Sequence, residues 1–199
     1  DLDLSYEVRP DRLTRYRFRT NITAILSQGR DSAQVTMRSV PSLPPTMKDL
    51  GIEEQIIENW SPRQGLVLVT GPTGSGKTTL LASGCRMLIE RPQGSGKLLT
   101  YEAPIEYVYD SVTGPKSLVA QSEIPRHVPT FAAGVRNALR RKPNIILVGE
   151  ARDRETMSAA IEARQTGHLV FSTVHTIGVA ATVRRIVSVF EPAERSERA

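Results

Sequence analysis

Residues 71–78 have the composition and spacing of a loop that binds phosphate groups. The segment matches the pattern G-x-x-x-x-G-K-[ST] at every position. Its residues, with the one that follows, are Gly71, Pro72, Thr73, Gly74, Ser75, Gly76, Lys77, Thr78 and Thr79. Glycines let backbone N–H groups turn toward phosphates, and a helix N-terminus adds partial positive charge. We therefore predict ATP as the ligand, with Lys77 on the β- and γ-phosphates and Thr78 as a ligand of Mg²⁺.

Polar side chains follow three further apolar runs. Glu102 and Glu106 come after residues 98–101, Glu150 after 145–148, and His175 after 169–173. Because ligands of open parallel sheets lie outside the carboxyl ends of the strands, we expect these groups to meet the phosphate loop at one edge. The alternative interpretation makes Glu102 and Glu106 two exposed loop carboxylates.

The types of these side chains suit the hydrolysis of a triphosphate. Glu150 can hold Mg²⁺ or orient the attacking water. Glu102 and Glu106 can accept a proton from that water, and the sequence leaves open which carboxylate does so. His175 is the candidate sensor of the γ-phosphate, whereas His168 falls at the opposite end of the same strand. A second GSGK string, residues 94–97, precedes a strand instead of a helix and is interpreted as a loop.

Strands and helices must alternate to bring these residues together. The predicted strands are residues 66–70, 98–101, 145–148 and 169–173, each a nearly continuous apolar run. Helices are predicted from Lys77 to Pro92, from Thr130 to Pro143, from Asp153 to Gly167, and over residues 178–189. This alternation predicts an α/β domain with a mainly parallel sheet.

The first part of the chain has a different pattern. Residues 1–40 are predicted to form strands and turns, and residues 15–19 alternate arginines with aromatics, which is typical of a half-buried sheet with a solvated outer face. The proline-rich residues 41–48 are the predicted linker. A short helix is expected next, opened by Asp49 and carrying Ile52, Ile56 and Trp60 on one face.

Composition narrows the class of protein only slightly. The net charge is +5 and the sequence pI about 9.7, compatible with nucleic acid, anionic lipid, an anionic small ligand or a basic surface without a polymeric partner. No apolar run has the length of a membrane span. The single Cys85 suits a reducing compartment such as the cytosol. Because the first residue is Asp1, we expect the true N-terminus to be missing.

Four motifs in order resemble those of the PilT/VirB11-type secretion ATPases. Residues 71–78 correspond to Walker A, the YEAPIE string at 101–106 to the family's Asp box, residues 148–150 to Walker B, and residues 166–176 to the His box. Ala103 stands where pilus-retraction members usually have Asp. This departure resembles the DotB/TraJ branch, which serves Dot/Icm-type secretion and plasmid conjugation.

The resemblance implies a RecA-like P-loop NTPase core over residues 49–199, cut short at its C-terminal end, preceded by part of a PAS-like α+β domain over residues 1–40. It implies that Arg19 and Arg38 reach the nucleotide and that Arg185 contributes a further arginine. It also implies a homo-hexameric, cytoplasmic motor ATPase at the inner face of the inner membrane, working with secretion or conjugation machinery.

Three alternatives stay open at this point. The protein could be a type IV pilus retraction ATPase, despite Ala103. It could be a RecA-like motor stimulated by nucleic acid, although the sequence has no track of aromatic and basic residues for stacking single-stranded bases. It could also be a nucleotide-responsive interaction module without useful turnover.

Overall fold

The computed structural model describes residues 2–11, 14–41, 43–94 and 96–190, which form two sheets. The first is antiparallel and contains β1 (Leu2–Val8), β2 (Tyr16–Ser27) and β3 (Arg30–Val40), in that spatial order. Residues 1, 12, 13, 42, 95 and 191–199, which fall within the predicted N-terminal strands, linker, second GSGK loop and ATPase core, lie outside the described residues.

The second sheet is parallel and has five strands in the order β4-β8-β7-β5-β6. Its strands are β4 (Gly65–Thr70), β5 (Gly96–Glu102), β6 (Ser117–Glu123), β7 (Ile145–Val148) and β8 (Leu169–Val174). The helices are α1 (Glu54–Glu58), α2 (Lys77–Glu90), α3 (Phe131–Leu139), α4 (Arg154–Gln165) and α5 (Val179–Ser188). The predicted α/β architecture is thereby confirmed, with the four predicted strands within two residues of their observed bounds.

Apolar side chains cover both faces of the parallel sheet. One buried cluster joins α2 to the sheet through Leu88 and Phe171, and Trp60 stacks on Phe171 with ring centroids 5.5 Å apart. The other joins α3 and α4 to the opposite face through Val135 and Ile146. Burial of each large apolar side chain contributes about 1.5–3 kcal/mol, so the strands that carry the polar residues rest on a rigid core.

Two local predictions were wrong. The short helix begins at Glu54 and not at Asp49, because Asp49 closes a turn by accepting a hydrogen bond from the Thr46 amide at 3.0 Å. β6 was not predicted, because its sequence SLVAQSE lacks a continuous apolar run.

The predicted linker lies against α2, where the Pro44 carbonyl oxygen accepts a hydrogen bond of 2.6 Å from Arg86.

The arginines before and within β2 face the second sheet instead of solvent. Arg17 is buried, and Tyr16 beside it is exposed. Arg15 pairs with Asp110, and Arg19 pairs with Glu106. The interpretation of a solvated outer face is therefore wrong for Arg17, and Arg15 and Arg19 are only partly exposed, because the antiparallel sheet uses this face to contact residues 105–110. Within the described residues, no helix is long and apolar enough to cross a bilayer.

Candidate functional site

The loop between β4 and α2 has the conformation that its glycines and lysine predict. Gly76 is the N-cap of α2 and has φ of 85°, a left-handed conformation that a residue with a Cβ atom adopts only with strain. The ammonium group of Lys77 is buried and donates a hydrogen bond of 2.8 Å to the Pro72 carbonyl oxygen. The Ser75 hydroxyl donates to the same oxygen at 2.8 Å, which closes the loop on itself.

A cavity of about 430 Å³ lies in front of this loop, and most of the predicted site residues line it. From the loop and α2 come Thr73, Gly74, Gly76, Lys77, Thr78 and Thr79. From the antiparallel sheet come Arg19 and Arg38, and from the strand ends come Glu102, Glu106, Glu150 and His175. The carboxyl ends of the parallel strands therefore converge on the phosphate loop, as predicted.

Four predicted residues do not line the cavity. Gly71, Pro72 and Ser75 belong to the phosphate loop but do not line the cavity, and Pro72 and Ser75 are exposed. Arg185 lies in the last turn of α5, exposed, with its guanidinium 3.4 Å from the Arg152 carbonyl oxygen. The structure thus places Arg185 next to a lining residue and outside the cavity wall.

Glu102 is the last residue of β5 and is buried. Its Oε1 atom accepts hydrogen bonds from the Thr100 hydroxyl at 2.6 Å and from the Gln121 amide at 3.2 Å. Burial raises the pKa of Glu102 to about 7, although both hydrogen bonds act in the opposite direction. Gly149 permits this arrangement, because a Cβ atom there would lie 3.3 Å from the Cα atom of Glu102. The interpretation of Glu102 as an exposed loop residue is wrong.

Glu106 is held by the two arginines that the resemblance assigns to the nucleotide. Its Oε1 atom lies 3.1 Å from Nη1 of Arg19 and 3.5 Å from Nη2 of Arg38. Arg19 and Arg38 are cross-strand partners in the register of β2 and β3, which places both guanidinium groups at one point of the sheet. Only 16% of the Glu106 side chain is exposed, so it is not a free loop carboxylate either.

Glu150 and His175 form a second polar pair in the cavity. The Nε2 atom of His175 lies 2.9 Å from Oε1 of Glu150. The Nε atom of Arg152 contacts the same carboxylate oxygen. His168, at the other end of β8, bonds through Nδ1 to the Ala163 carbonyl oxygen at 3.1 Å and so helps to terminate α4.

Sequence reasoning missed three residues of this site. Arg152 lines the cavity and contacts Glu150. Its position two residues after Glu150 is the signal in the sequence that could have identified it as a site residue. The Tyr107 hydroxyl lies 3.1 Å from the Thr79 hydroxyl, next to the phosphate loop. Gln121, which contacts Glu102, belongs to the strand that was not predicted, and no local signal distinguishes it.

The charges of the cavity suit an anionic ligand with a bound cation. Its lining includes the cations Arg19, Arg38, Lys77 and Arg152, and the carboxylates Glu102, Glu106 and Glu150. Thr78 and Glu150 offer a hydroxyl and a carboxylate oxygen, which are the hard donors that Mg²⁺ prefers beside substrate phosphates. The residues present therefore fit the predicted Mg²⁺. No group of three or more His, Cys, Asp or Glu side chains within the described ranges could hold a metal by itself.

Comparison with known proteins identifies the family. Residues 14–193 match the family described as type II/IV secretion system protein. The chain belongs to this family. It is 46% identical over 182 residues to a twitching motility protein of Neisseria gonorrhoeae. The aligned region covers 90% of this chain and 46% of that protein.

Solved structures of secretion ATPases have the same fold. The Legionella pneumophila ATPase DotB matches with a TM-score of 0.90 and 54% identity, covering 99% of this chain and 53% of that one. The pilus retraction motor PilT with bound ADP matches with a TM-score of 0.83 and 38% identity, covering 98% and 53%. The predicted RecA-like core and the resemblance to PilT/VirB11-type ATPases, with the DotB branch, are confirmed. The chain spans about half the length of these members of the type II/IV secretion family.

Proposed function

We propose that the protein hydrolyses ATP with Mg²⁺ to power type IV secretion or conjugative DNA transfer. One observation carries the proposal: a buried carboxylate with a raised pKa, Glu102, lines the same cavity as Lys77 of the phosphate loop. Membership of a family of secretion and pilus ATPases supports it. The higher identity to DotB, together with Ala103, favours secretion or conjugation over pilus retraction.

The phosphate loop binds the triphosphate. Lys77 exchanges the neutral Pro72 carbonyl for the β- and γ-phosphate oxygens, which form stronger, charge-assisted hydrogen bonds. Backbone amides of the first turn of α2 have no acceptor within the helix and can donate to the same phosphates. Thr78 and Glu150 supply oxygen ligands to Mg²⁺, which when bound neutralises charge on the β- and γ-phosphates.

Glu102 activates the attacking water. A pKa near 7 lets the carboxylate accept a proton at neutral pH and release it after each turnover. The water oxygen forms a bond to the γ-phosphorus as the bond to the β,γ-bridging oxygen breaks, and the products are ADP and phosphate. Glu106 and Glu150 are less suited to this role, because arginine and histidine side chains pair with them. Arg19 and Arg38 then stabilise the charge on the γ-phosphate.

The remaining parts of the proposal follow the family. The working form is a homo-hexamer at the cytoplasmic face of the inner membrane, in contact with secretion or conjugation machinery. Closure of the antiparallel sheet on the nucleotide, followed by reopening after hydrolysis, turns the chemistry into movement. The arginines of β2 and β3 are on the correct side of the cavity for such closure.

The test is phosphate release by the complete protein and by two variants. Lys77→Ala removes the ammonium group, and we expect nucleotide affinity to fall about ten- to a hundredfold. Glu102→Gln should leave affinity within about threefold and lower kcat by about 10²–10⁴. Lys97→Ala is the matched control, since Lys97 is the lysine of the other GSGK string and donates a hydrogen bond to the Arg141 carbonyl oxygen away from the cavity. Unchanged kinetics in Lys77→Ala would overturn the site.

Two further measurements separate the roles. Strong, salt-sensitive stimulation of phosphate release by DNA would favour a nucleic-acid motor over the secretion ATPase. In cells that lack the gene, restoration of substrate secretion or DNA transfer by the wild type, but not by Lys77→Ala, supports the proposal. Restoration of twitching alone would favour pilus retraction.

A further inference from the structure

A buried arginine of the antiparallel sheet forms hydrogen bonds with the main chain at Ile105 and Glu106. Arg17 donates from Nη1 to the Glu106 carbonyl oxygen at 2.6 Å and from Nη2 to the Ile105 carbonyl oxygen at 2.8 Å. Only 7% of its side chain is exposed. The planar fork of a guanidinium group therefore bridges two consecutive carbonyl groups from a strand more than eighty residues away in sequence.

Glu123 at the end of β6 holds the same segment from the other side. Its Oε2 atom accepts a hydrogen bond of 3.1 Å from the Ile105 amide and one of 2.8 Å from the Ser5 hydroxyl of β1. The Glu123 carboxylate is buried, and its own amide is fixed by a 2.9 Å bond to Nδ1 of His127. Both sheets thus contribute to one joint around residues 105–106.

These contacts are energetically significant because their charges are shielded from water. Burial lowers the pKa of Arg17, although the nearby carboxylates of Glu7, Glu102 and Glu123 act in the opposite direction. A buried guanidinium is costly unless it forms hydrogen bonds, and here each terminal nitrogen donates to one carbonyl oxygen. The Glu7 carboxylate, 3.6 Å from Nε of Arg17, balances the charge. Loss of either carbonyl contact would leave a buried donor without its partner.

We propose that Arg17 is a positioning residue, which ties the main chain at 105–106 to the antiparallel sheet, while Glu123 of β6 ties it to the parallel sheet, so that the Glu106 carboxylate is kept at Arg19 and Arg38. This inference rests on the proposed function. It groups Arg19, Arg38 and Glu106 at the point where the two sheets meet, because Arg17 fixes the Glu106 main chain to the strand that carries Arg19. Glu102 is held within the parallel sheet by Thr100 and Gln121.

The joint couples the position of the antiparallel sheet to the hydrolysis site. Arg17 fixes the Glu106 main chain relative to the strand that carries Arg19, so the carboxylate stays paired with Arg19 and Arg38 where these arginines line the cavity. Without the joint, the Glu106 carboxylate would no longer be held at the two arginines, and alignment of the γ-phosphate would suffer.

The experiment uses Arg17→Met in the complete protein, with kinetics and hydrogen exchange measured together. We expect kcat to fall by about ten- to a hundredfold, since a misplacement of about 1 Å has effects of this order. The Kd of a fluorescent ATP analogue should stay within about twofold, because Arg17 does not line the cavity. Exchange of the Ile105 amide should accelerate at least about tenfold. Amides of α2 should keep their protection.

Arg15→Met is the matched control. Arg15 precedes β2 by one residue and pairs with the exposed carboxylate of Asp110, but it does not touch the main chain at 105–106. Its removal should change neither kcat nor Ile105 exchange by more than about twofold. Arg17→Lys should restore only part of the wild-type kcat, since an ammonium group does not reproduce the bidentate fork.

The outcomes separate this inference from the proposed function. Unchanged Ile105 exchange and kcat in Arg17→Met would overturn the joint, as would equal loss of affinity and kcat. If Arg17→Met does not fold, Glu123→Gln and Ser5→Ala replace it, and normal Ile105 exchange in both would overturn the joint. If the wild type releases no phosphate from ATP, the proposed function fails, and the exchange measurement still decides whether residues 105–106 are held as described.

Discussion

The side-chain amide of Gln121 donates two hydrogen bonds, one to Glu102 Oε1 at 3.2 Å and one to the Tyr107 carbonyl oxygen at 2.9 Å. Its own oxygen accepts a bond of 3.1 Å from the Tyr109 amide. One side chain of an edge strand thus orients the candidate base and fixes the loop that follows it. The Tyr107 hydroxyl continues this network to Thr79 at the phosphate loop.

Gln121→Leu should move the pH dependence of hydrolysis. The Gln121 hydrogen bond lowers the pKa of Glu102, so its removal raises that pKa further. A smaller fraction of Glu102 is then ionised at pH 7, and the rising limb of the kcat profile should shift to higher pH. Steady-state kinetics between pH 5.5 and 9 measure the shift. A lower kcat with an unmoved rising limb would mean that Gln121 affects only the loop.

Glu102→Gln should alter how stability depends on pH. Burial raises the pKa of Glu102 from 4.5 to about 7, so its folded state favours the protonated form. The stability associated with this group is full below pH 4.5 and is lost as the pH rises to about 7. The total loss is about 3 kcal/mol, from roughly 1.4 kcal/mol for each pKa unit. Urea denaturation of wild type and variant at several pH values measures it.

The variant should become more stable relative to wild type as the pH rises through this window. Glu162→Gln is the control, because Glu162 is an exposed carboxylate on α4. Its difference from wild type should stay nearly constant over the same pH range. Parallel curves for Glu102→Gln and wild type would show that Glu102 ionises as easily in the folded protein as in the unfolded chain.

The parts of the site that local sequence predicts are those that depend on backbone geometry. A strand, a glycine-rich turn and a helix N-terminus specify the phosphate loop with no distant contact, and Gly76 and Lys77 lie as expected. Strand ends are also readable, because continuous apolar runs are typical of a sheet covered on both faces. Glu102 and Glu150 therefore line the cavity at the edge of the sheet where the sequence predicts them.

The parts that local sequence did not predict depend on distant partners. β6 carries Gln121 and Glu123 where an apolar strand would carry Val or Ile, because these side chains satisfy amides of the loop at 105–109. Because these residues are polar, the segment has no continuous apolar run from which a strand could be predicted. The face of β2 that carries Arg17 is likewise covered because Arg17 bonds to the carbonyl groups at 105–106. The sequence near residue 17 contains no information about these distant groups. Period-two patterning separates two faces but does not say which one is covered.

Glu106→Gln should preserve nucleotide binding and lower turnover. The carboxylate pairs with Arg19 and Arg38, so its neutralisation frees both guanidinium groups for the γ-phosphate. We expect the Kd for ATP to stay the same or to fall by up to about fivefold. We expect kcat to fall by about tenfold, because the arginines lose the group that aligns them. Glu155→Gln, on the exposed face of α4, is the control. Loss of binding alone would assign Glu106 to the nucleotide pocket instead.

Gly84→Ala should destabilise the protein at a position that does not line the cavity. Gly84 lies in α2 against Trp60, and a Cβ atom there would come within 2.1 Å of the indole ring. The ring is buried and stacked on Phe171, so the added methyl group should cost about 1–3 kcal/mol through forced repacking. Trp60 is the only tryptophan, so its fluorescence reports both unfolding and the local change. In a Trp60→Leu background the same substitution should cost less, because the clashing ring is gone. Urea denaturation followed by circular dichroism measures the cost in both backgrounds, since Trp60→Leu removes the only tryptophan. Equal costs in the two backgrounds would contradict the contact.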